Sequence, residues 1–235
     1  MRNQIKEYTE IFSKNFDVME PVYEFGSLQV EAQEGYADLR PFFSGKEYVG
    51  CDMRKGPGVD RILNLHNIDL PDESIGTVLC LDTLEHVEYP HKALEEIYRI
   101  LKKDGIVVIS SVMNFEIHDY PYDYWRFTPE AFKSILKPFK NVYVESAGSK
   151  LFPHTVVGVG IKGEKPQNLE NFIPKSTEWS YKWSKSSEYK TLEEKIDSNF
   201  KNIDIKFERL ENGMLFGKLS REINRVYKKY FLKKK

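Results

Sequence analysis

Two rhythms of apolar and polar positions run along this chain, one suited to buried strands and the other to amphipathic helices, and they meet most clearly in its middle. Residues 77–81, TVLCL, are apolar apart from one threonine, the pattern of a strand covered on both faces. Asp82 ends that run. Pro90 is placed to open a helix whose Leu94, Ile97, Tyr98 and Leu101 share one face, with Lys102 and Lys103 in its last turn and Asp104-Gly105 closing it. Residues 106–109, IVVI, follow as a second buried strand. The stretch therefore reads strand, loop, helix, strand, with a right-handed parallel crossover. Ligands on such sheets sit at the carboxyl ends of the strands, which makes the loop 82–87 a wall of a site.

Outside this stretch, Ile5, Tyr8, Ile11 and Phe12 predict an N-terminal helix that covers the sheet or lids a pocket. Residues 22–25 predict a short strand running into Gly26. Residues 37–43 read as the end of a helix broken by Pro41, residues 47–51 as the second strand and residues 59–65 as a short third one. Thr128-Pro129 suits the start of a helix over AFKSIL. Residues 141–145 and 155–162 predict an antiparallel hairpin, with His154 ahead of its second strand. Beyond Gly163 the pattern changes. Residues 164–190 are polar and carry prolines and serines, and read as a linker or extended arm. Ile196, Phe200, Ile203, Phe207, Leu210 and Met214 then form a helical seam fit for pairing with a second chain. The expected organisation is a domain over 1–162 and a helical extension with a basic tail over 163–235.

Charge sharpens that division. Residues 1–162 hold 18 basic and 25 acidic side chains, a balance of −7, whereas residues 163–235 hold 17 and 11, a balance of +6. A domain of net −7 repels a phosphate backbone, which argues against nucleic acid as its substrate. The tail from Lys218 places Leu219, Ile223, Val226 and Tyr230 on one face among basic residues, so an anionic membrane surface or an acidic protein is its expected partner. Mean hydropathy of −0.53 and the lack of a long apolar run leave no membrane span, and no secretory signal is seen. Cys51 and Cys80 lie in apolar runs and read as buried free thiols of a cytoplasmic protein. No metal is expected.

The residues around the two central strands, LCLDTLEHV, EEIYRILKKDG and IVVIS, resemble class I S-adenosylmethionine (SAM) dependent methyltransferases of the type 11 branch. With its flanks the resemblance spans about residues 22–162. It implies an α/β fold: a Rossmann-like, seven-stranded, mostly parallel sheet with helices on both faces, here followed by a C-terminal helical arm. It also implies SAM as cofactor, S-adenosylhomocysteine as product, and a cytoplasmic enzyme, peripheral to the membrane if the tail docks there. Its glycine motif is reduced to Gly26, followed by Ser27. One glycine still lets the backbone pass close to the methionine portion of SAM, while the pyrophosphate of NAD needs the full G-x-G-x-x-G, which is absent.

Glu24 resembles the acidic residue that orders this loop and reaches the ligand's ammonium. Asp52, directly after the second strand, can accept hydrogen bonds from both ribose hydroxyls. Met53 is a candidate to pack on adenine. Asn64 stands where the family has an aspartate facing the adenine amino group, with the Leu65 backbone and Asn67 as alternatives, and Asp82 and Thr83 complete the cofactor set. After the fifth strand, SSVMNFEIHDYPYDYWRFTPEAF concentrates aromatic and charged residues and contains a D-x-W-R-[FY]-T-P signature similar to the family's. Tyr122, Tyr124, Trp125 and Arg126 are the candidate acceptor contacts, or else Trp125, Arg126 and Phe127 form a structural plug.

Methyl transfer to a hydroxyl requires loss of its proton. His118 is the first candidate base, followed by Asp119 and His86. The expected function is O-methylation of a small molecule or a glycan, of the surface-polysaccharide type. The alternatives are a binding or scaffold protein that has kept the fold, and a nucleic-acid methyltransferase using the basic tail.

Overall fold

Seven strands join in one sheet in the order β3-β2-β1-β4-β5-β7-β6. They are β1 (Val22–Phe25), β2 (Tyr48–Asp52), β3 (Arg61–Ile62), β4 (Ile75–Leu81), β5 (Leu101–Val112), β6 (Asn141–Ser149) and β7 (Phe152–Ile161). The computed structural model describes residues 1–31, 34–164, 168–186 and 225. The first five strands are parallel, and β7 runs antiparallel between β5 and β6. All seven residues of β4 are buried, as its unbroken apolar run requires. The chain leaves β1 toward β2 on one side and returns through β4 on the other. A crevice therefore opens between the carboxyl ends of β1 and β4, the usual ligand position in such sheets.

The helices divide between the two faces. On one face lie α2 (Pro90–Ile100) and α3 (Pro129–Ile135), which bury Leu94, Ile97, Phe132 and Ile135 against Phe25, Cys80 and Ile109. Each such side chain contributes about 1.5–3 kcal/mol by leaving water. On the other face lie α1 (Asn3–Asn15) and α4 (Leu169–Ser184), with Ile5, Tyr8, Phe12, Phe172 and Trp179 packed over Leu79, Val108 and Val157.

Within the stretch expected to be a linker or arm, Leu169–Ser184 is instead a helix packed on the sheet. Phe172, Ser176 and Trp179 recur at helical spacing and are buried, Trp179 lies 4.9 Å from Tyr8 centroid to centroid, and its Nε1 donates to the Gln4 carbonyl at 2.7 Å. The first compact unit accordingly runs from Met1 to Lys185, past the boundary expected at 162. The second unit, Ser186 to Lys235, falls almost wholly outside the described residues. The helical seam, the pairing with a second chain and the basic tail belong there.

Three further expectations are corrected. α2 stops at Ile100, because the Arg99 and Ile100 carbonyls accept from the amides of Glu73 and Ser74 and Leu101 pairs with Ile75 as the first residue of β5. The helix expected to end at residues 37–43 is a single 3-10 turn, Arg40–Phe43, with Pro41 at its start. The third strand is two residues long: Leu63 still donates its amide to the Asp52 carbonyl, the chain then turns between Asn64 and Asn67, and Leu63 and Leu65 are buried in the core.

Candidate active site

Acidic side chains gather at the carboxyl ends of three neighbouring strands. Glu24 on β1 is buried, and its Oε2 accepts from the Tyr48 hydroxyl at 2.6 Å. Burial raises its pKa to about 7 and the Tyr48 hydrogen bond opposes the rise only in part. Gly26 follows with φ of +86°, and a Cβ there would lie 2.0 Å from Thr83 Oγ1, so no other residue fits. The amides of Gly26 and Ser27 both donate to the Cys51 carbonyl, which fixes this turn against the end of β2. Asp52 closes β2 with Oδ1 accepting the Arg54 amide at 2.8 Å.

Across the crevice Asp82 ends β4 in the left-handed region at φ of +47°. Its carboxylate accepts two hydrogen bonds from Arg2, at 2.7 and 2.9 Å, and one from Ser110. Burial alone would raise its pKa, but the Arg2 charge and these hydrogen bonds hold it below the usual carboxylate value. Thr83 stands beside it, its hydroxyl donating toward the carbonyls of Phe25 and Leu81 and so tying β4 to the glycine turn.

A further wall of the crevice is built by the loop after β5. Its frame is Arg126, whose guanidinium donates to Asp123 at 2.5 and 2.7 Å and to the carbonyls of Phe115, Glu116 and Trp125. That uses all five of its donors, so Arg126 ties the loop together and has no N–H left over. Asp123, almost fully covered, is held far below the ordinary carboxylate range chiefly by the hydrogen bonds from Arg126. The Glu85 carbonyl takes the amides of Tyr124 and Trp125, and Trp125 Nε1 donates to the Val87 carbonyl at 3.0 Å. These bonds clamp the loop onto the turn 82–87. Phe127 fills the core, as the plug alternative has it, while Tyr122, Tyr124 and Trp125 keep exposed ring surface.

Two imidazoles face one another inside this clamp. The rings of His86 and His118 stand edge to face with centroids 4.7 Å apart. His86 Nδ1 lies 2.7 Å from the Tyr122 carbonyl, and His118 Nδ1 lies 3.1 Å from the Glu116 carbonyl and 3.3 Å from Asp123. Asp119 sits apart, at φ of +51°, and pairs with Arg54 at 3.5 Å. Because Arg54 also lies 3.7 Å from Asp52, one guanidinium links the end of β2 to the loop after β5.

Other candidates are placed less usefully. Met53 is exposed beside Asp52. Asn64 Oδ1 accepts the His66 amide at 2.8 Å within its own turn. Leu65 points into the core, leaving only its backbone for a ligand. Conversely, Arg2, Arg54 and Ser111 lie among these residues and were not singled out from the sequence, and Glu85 was covered only as part of the loop 82–87. Glu85 stood in the LEHV string; Arg2 carried no local signal at all. Glu85 is fully buried, accepts from Ser111 at 2.7 Å, and has its pKa raised to about 7 by burial and by the charge of Asp82. An open groove of about 680 Å³ lies elsewhere, along the outer side of α1 among Lys6, Glu10, Lys14 and Tyr36, and none of the candidate residues lines it.

The model of a methyltransferase-domain family matches residues 44–109. Among solved structures, a SAM dependent methyltransferase from Archaeoglobus fulgidus superposes with a TM-score of 0.54 at 17% identity, over 69% of this chain and 95% of that one. A possible histamine N-methyltransferase from Thermotoga maritima matches with a TM-score of 0.49 at 18% identity, over 67% of this chain and 91% of that one. No curated protein sequence matches significantly. The class I, type 11-like resemblance is borne out by the family match and the sheet order, and the fold is that of SAM-dependent methyltransferases. No helix among the described residues is long and apolar enough to cross a membrane.

Proposed function

We propose that this class I, type 11-like methyltransferase domain moves the methyl group of SAM to an oxygen of a small molecule or glycan. The observation that carries the reading is the run of acidic strand ends, Glu24, Asp52 and Asp82, around a crevice bordered by an exposed aromatic loop. Glu24 and Asp82 suit the ammonium of the cofactor's methionine portion, and Asp52 suits the ribose hydroxyls. Gly26 and Ser27 leave room for the backbone to pass close to the methionine portion. The exposed rings of Tyr122, Tyr124 and Trp125 offer apolar faces for a sugar or planar ring beside His86 and His118.

The sulfonium is already an activated leaving group, so the protein's work is to place the acceptor in line with the methyl carbon and to exclude water. His118 is the first candidate to receive the hydroxyl proton, with His86 next to it. Asp119 ranks lower because its carboxylate is paired with Arg54. Calorimetry of the full chain with SAM tests the reading, followed by transfer of labelled methyl from SAM to sugar, protein and nucleic-acid acceptors. Binding heat and label on a sugar or small molecule are expected. A silent titration would leave a scaffold, and label on RNA alone would overturn the acceptor class.

A further inference from the structure

We infer that Glu85, His86 and His118 form a site for one divalent transition-metal cation on the acceptor side of the crevice. Each of the three brings a ligand atom within 4.8 Å of the other two. The carbonyls at each Nδ1 orient the rings as in metal-ligating histidines, which donate Nδ1–H outward and keep Nε2 as a lone-pair donor. Asp123, itself fixed by Arg126, adds a carboxylate beside His118 Nδ1. A second observation is independent of the imidazoles. Glu85 is fully buried, its Oε2 is satisfied by Ser111, and its Oε1 has no hydrogen-bond partner among the described residues.

A buried carboxylate oxygen without a hydrogen-bond partner is costly unless something positive meets it. One ligand atom from each of the two imidazoles and the Glu85 carboxylate converge here, and a single cation can meet all three at once. For bonds of about 2.1 Å the ligand atoms of a tetrahedral site stand about 3.4 Å apart, so modest side-chain rotation closes the set. Two imidazoles and one carboxylate suit first-row transition metals better than magnesium or calcium, and three protein ligands leave positions open.

The cation site stands on its own geometry; its use on the acceptor rests on the methyl-transfer reading. There, an acceptor hydroxyl in an open position would give its proton to solvent more readily. Its oxygen pair would form the new O–C bond as the methyl C–S bond breaks, with those electrons returning to sulfur. His118 would then be a ligand and not the proton acceptor.

The test uses tag-free, chelator-stripped, full-length protein without SAM, titrated with Zn²⁺ by calorimetry and with Co²⁺ by visible absorption. One cation per chain is expected, with ligand-field bands for Co²⁺ and at least about tenfold weaker binding in His86→Ala and in His118→Ala. His91→Ala, on an exposed position of α2, should bind as the wild type does. No saturation near one equivalent, or unchanged affinity in either of the two site variants, overturns the site. Because Glu85 is buried, Glu85→Gln serves only as a supporting variant, and the two histidines decide the matter if it fails to fold. Cation binding without SAM binding would keep this site and remove the methyl-transfer reading; the reverse would do the opposite.

Discussion

Replacing Glu24 with Gln should make the ligand-free protein more stable at alkaline pH and, at the same time, worse at binding SAM. Gln keeps the shape of the side chain, and its carbonyl can accept the Tyr48 hydroxyl as Glu24 does at 2.6 Å. What it removes is a carboxyl whose pKa burial has raised from 4.5 to about 7. A raised carboxyl binds more protons in the folded state than in the unfolded one between those two values. Its burial therefore costs little below pH 4.5, and folding stability falls as pH climbs toward 7 and beyond.

Integrating the shift gives a penalty of about 1 kcal/mol at pH 5 and about 3 kcal/mol at pH 8, to order of magnitude. Urea unfolding of wild type and variant at both pH values measures the difference and cancels titrations elsewhere. The variant should gain about 2 kcal/mol more at pH 8 than at pH 5. In SAM binding the sign reverses, because the ligand's ammonium favours the ionised carboxylate. Wild-type binding at pH 6 should release close to one proton per SAM, read by calorimetry in buffers of different ionisation enthalpy, and the variant should release fewer. Equal stability differences at pH 5 and 8 would refute the account of Glu24.

Asp52→Ala should weaken SAM binding by about 2–3 kcal/mol, the loss of a charge-assisted pair of hydrogen bonds, as read by calorimetry; unchanged affinity would remove Asp52 from the ribose site. Gly26→Ala should abolish SAM binding and lower thermal stability, since its Cβ would meet Thr83 Oγ1 at 2.0 Å. Adding Thr83→Ala should restore part of both, whereas no rescue would mean that the positive φ alone is responsible. Trp179→Ala should cost about 3–5 kcal/mol in urea unfolding, because the indole is buried against Tyr8 and bonded to the Gln4 carbonyl. A loss below 1 kcal/mol would return α4 to the status of an appendage.

Much of the sheet was legible because buried parallel strands announce themselves as apolar runs. TVLCL and IVVI did so, and each carries its own evidence of burial on both faces. The two-residue β3 did not, since a strand that short has no period to read, and its neighbours Leu63 and Leu65 mimic a continuation while serving the other core. α4 was hidden by composition. Its one buried face is Phe172, Ser176 and Trp179, diluted by lysines and serines and interrupted by Pro174, so that only the packing against Tyr8 reveals it as part of the fold.

Residue type was a better guide to the site than role. Glu24, Asp52, Asp82 and the two histidines could be placed at strand ends and loop walls from the sequence, and the fold puts them there. Arg126 was equally visible within D-x-W-R-F-T-P, but whether a guanidinium greets a substrate or braces a loop depends on how many of its five donors are already taken. Here all are. Arg2 and Arg54 show the harder limit. One reaches Asp82 from eighty positions away and the other joins Asp52 to Asp119, and no local pattern specifies a contact of that span. Both set the charge balance of the crevice, since Arg2 donates twice to Asp82 and Arg54 lies between Asp52 and Asp119. The acids at the strand ends are the part a sequence displays. The guanidiniums that pair with them emerge only when the chain has closed on itself.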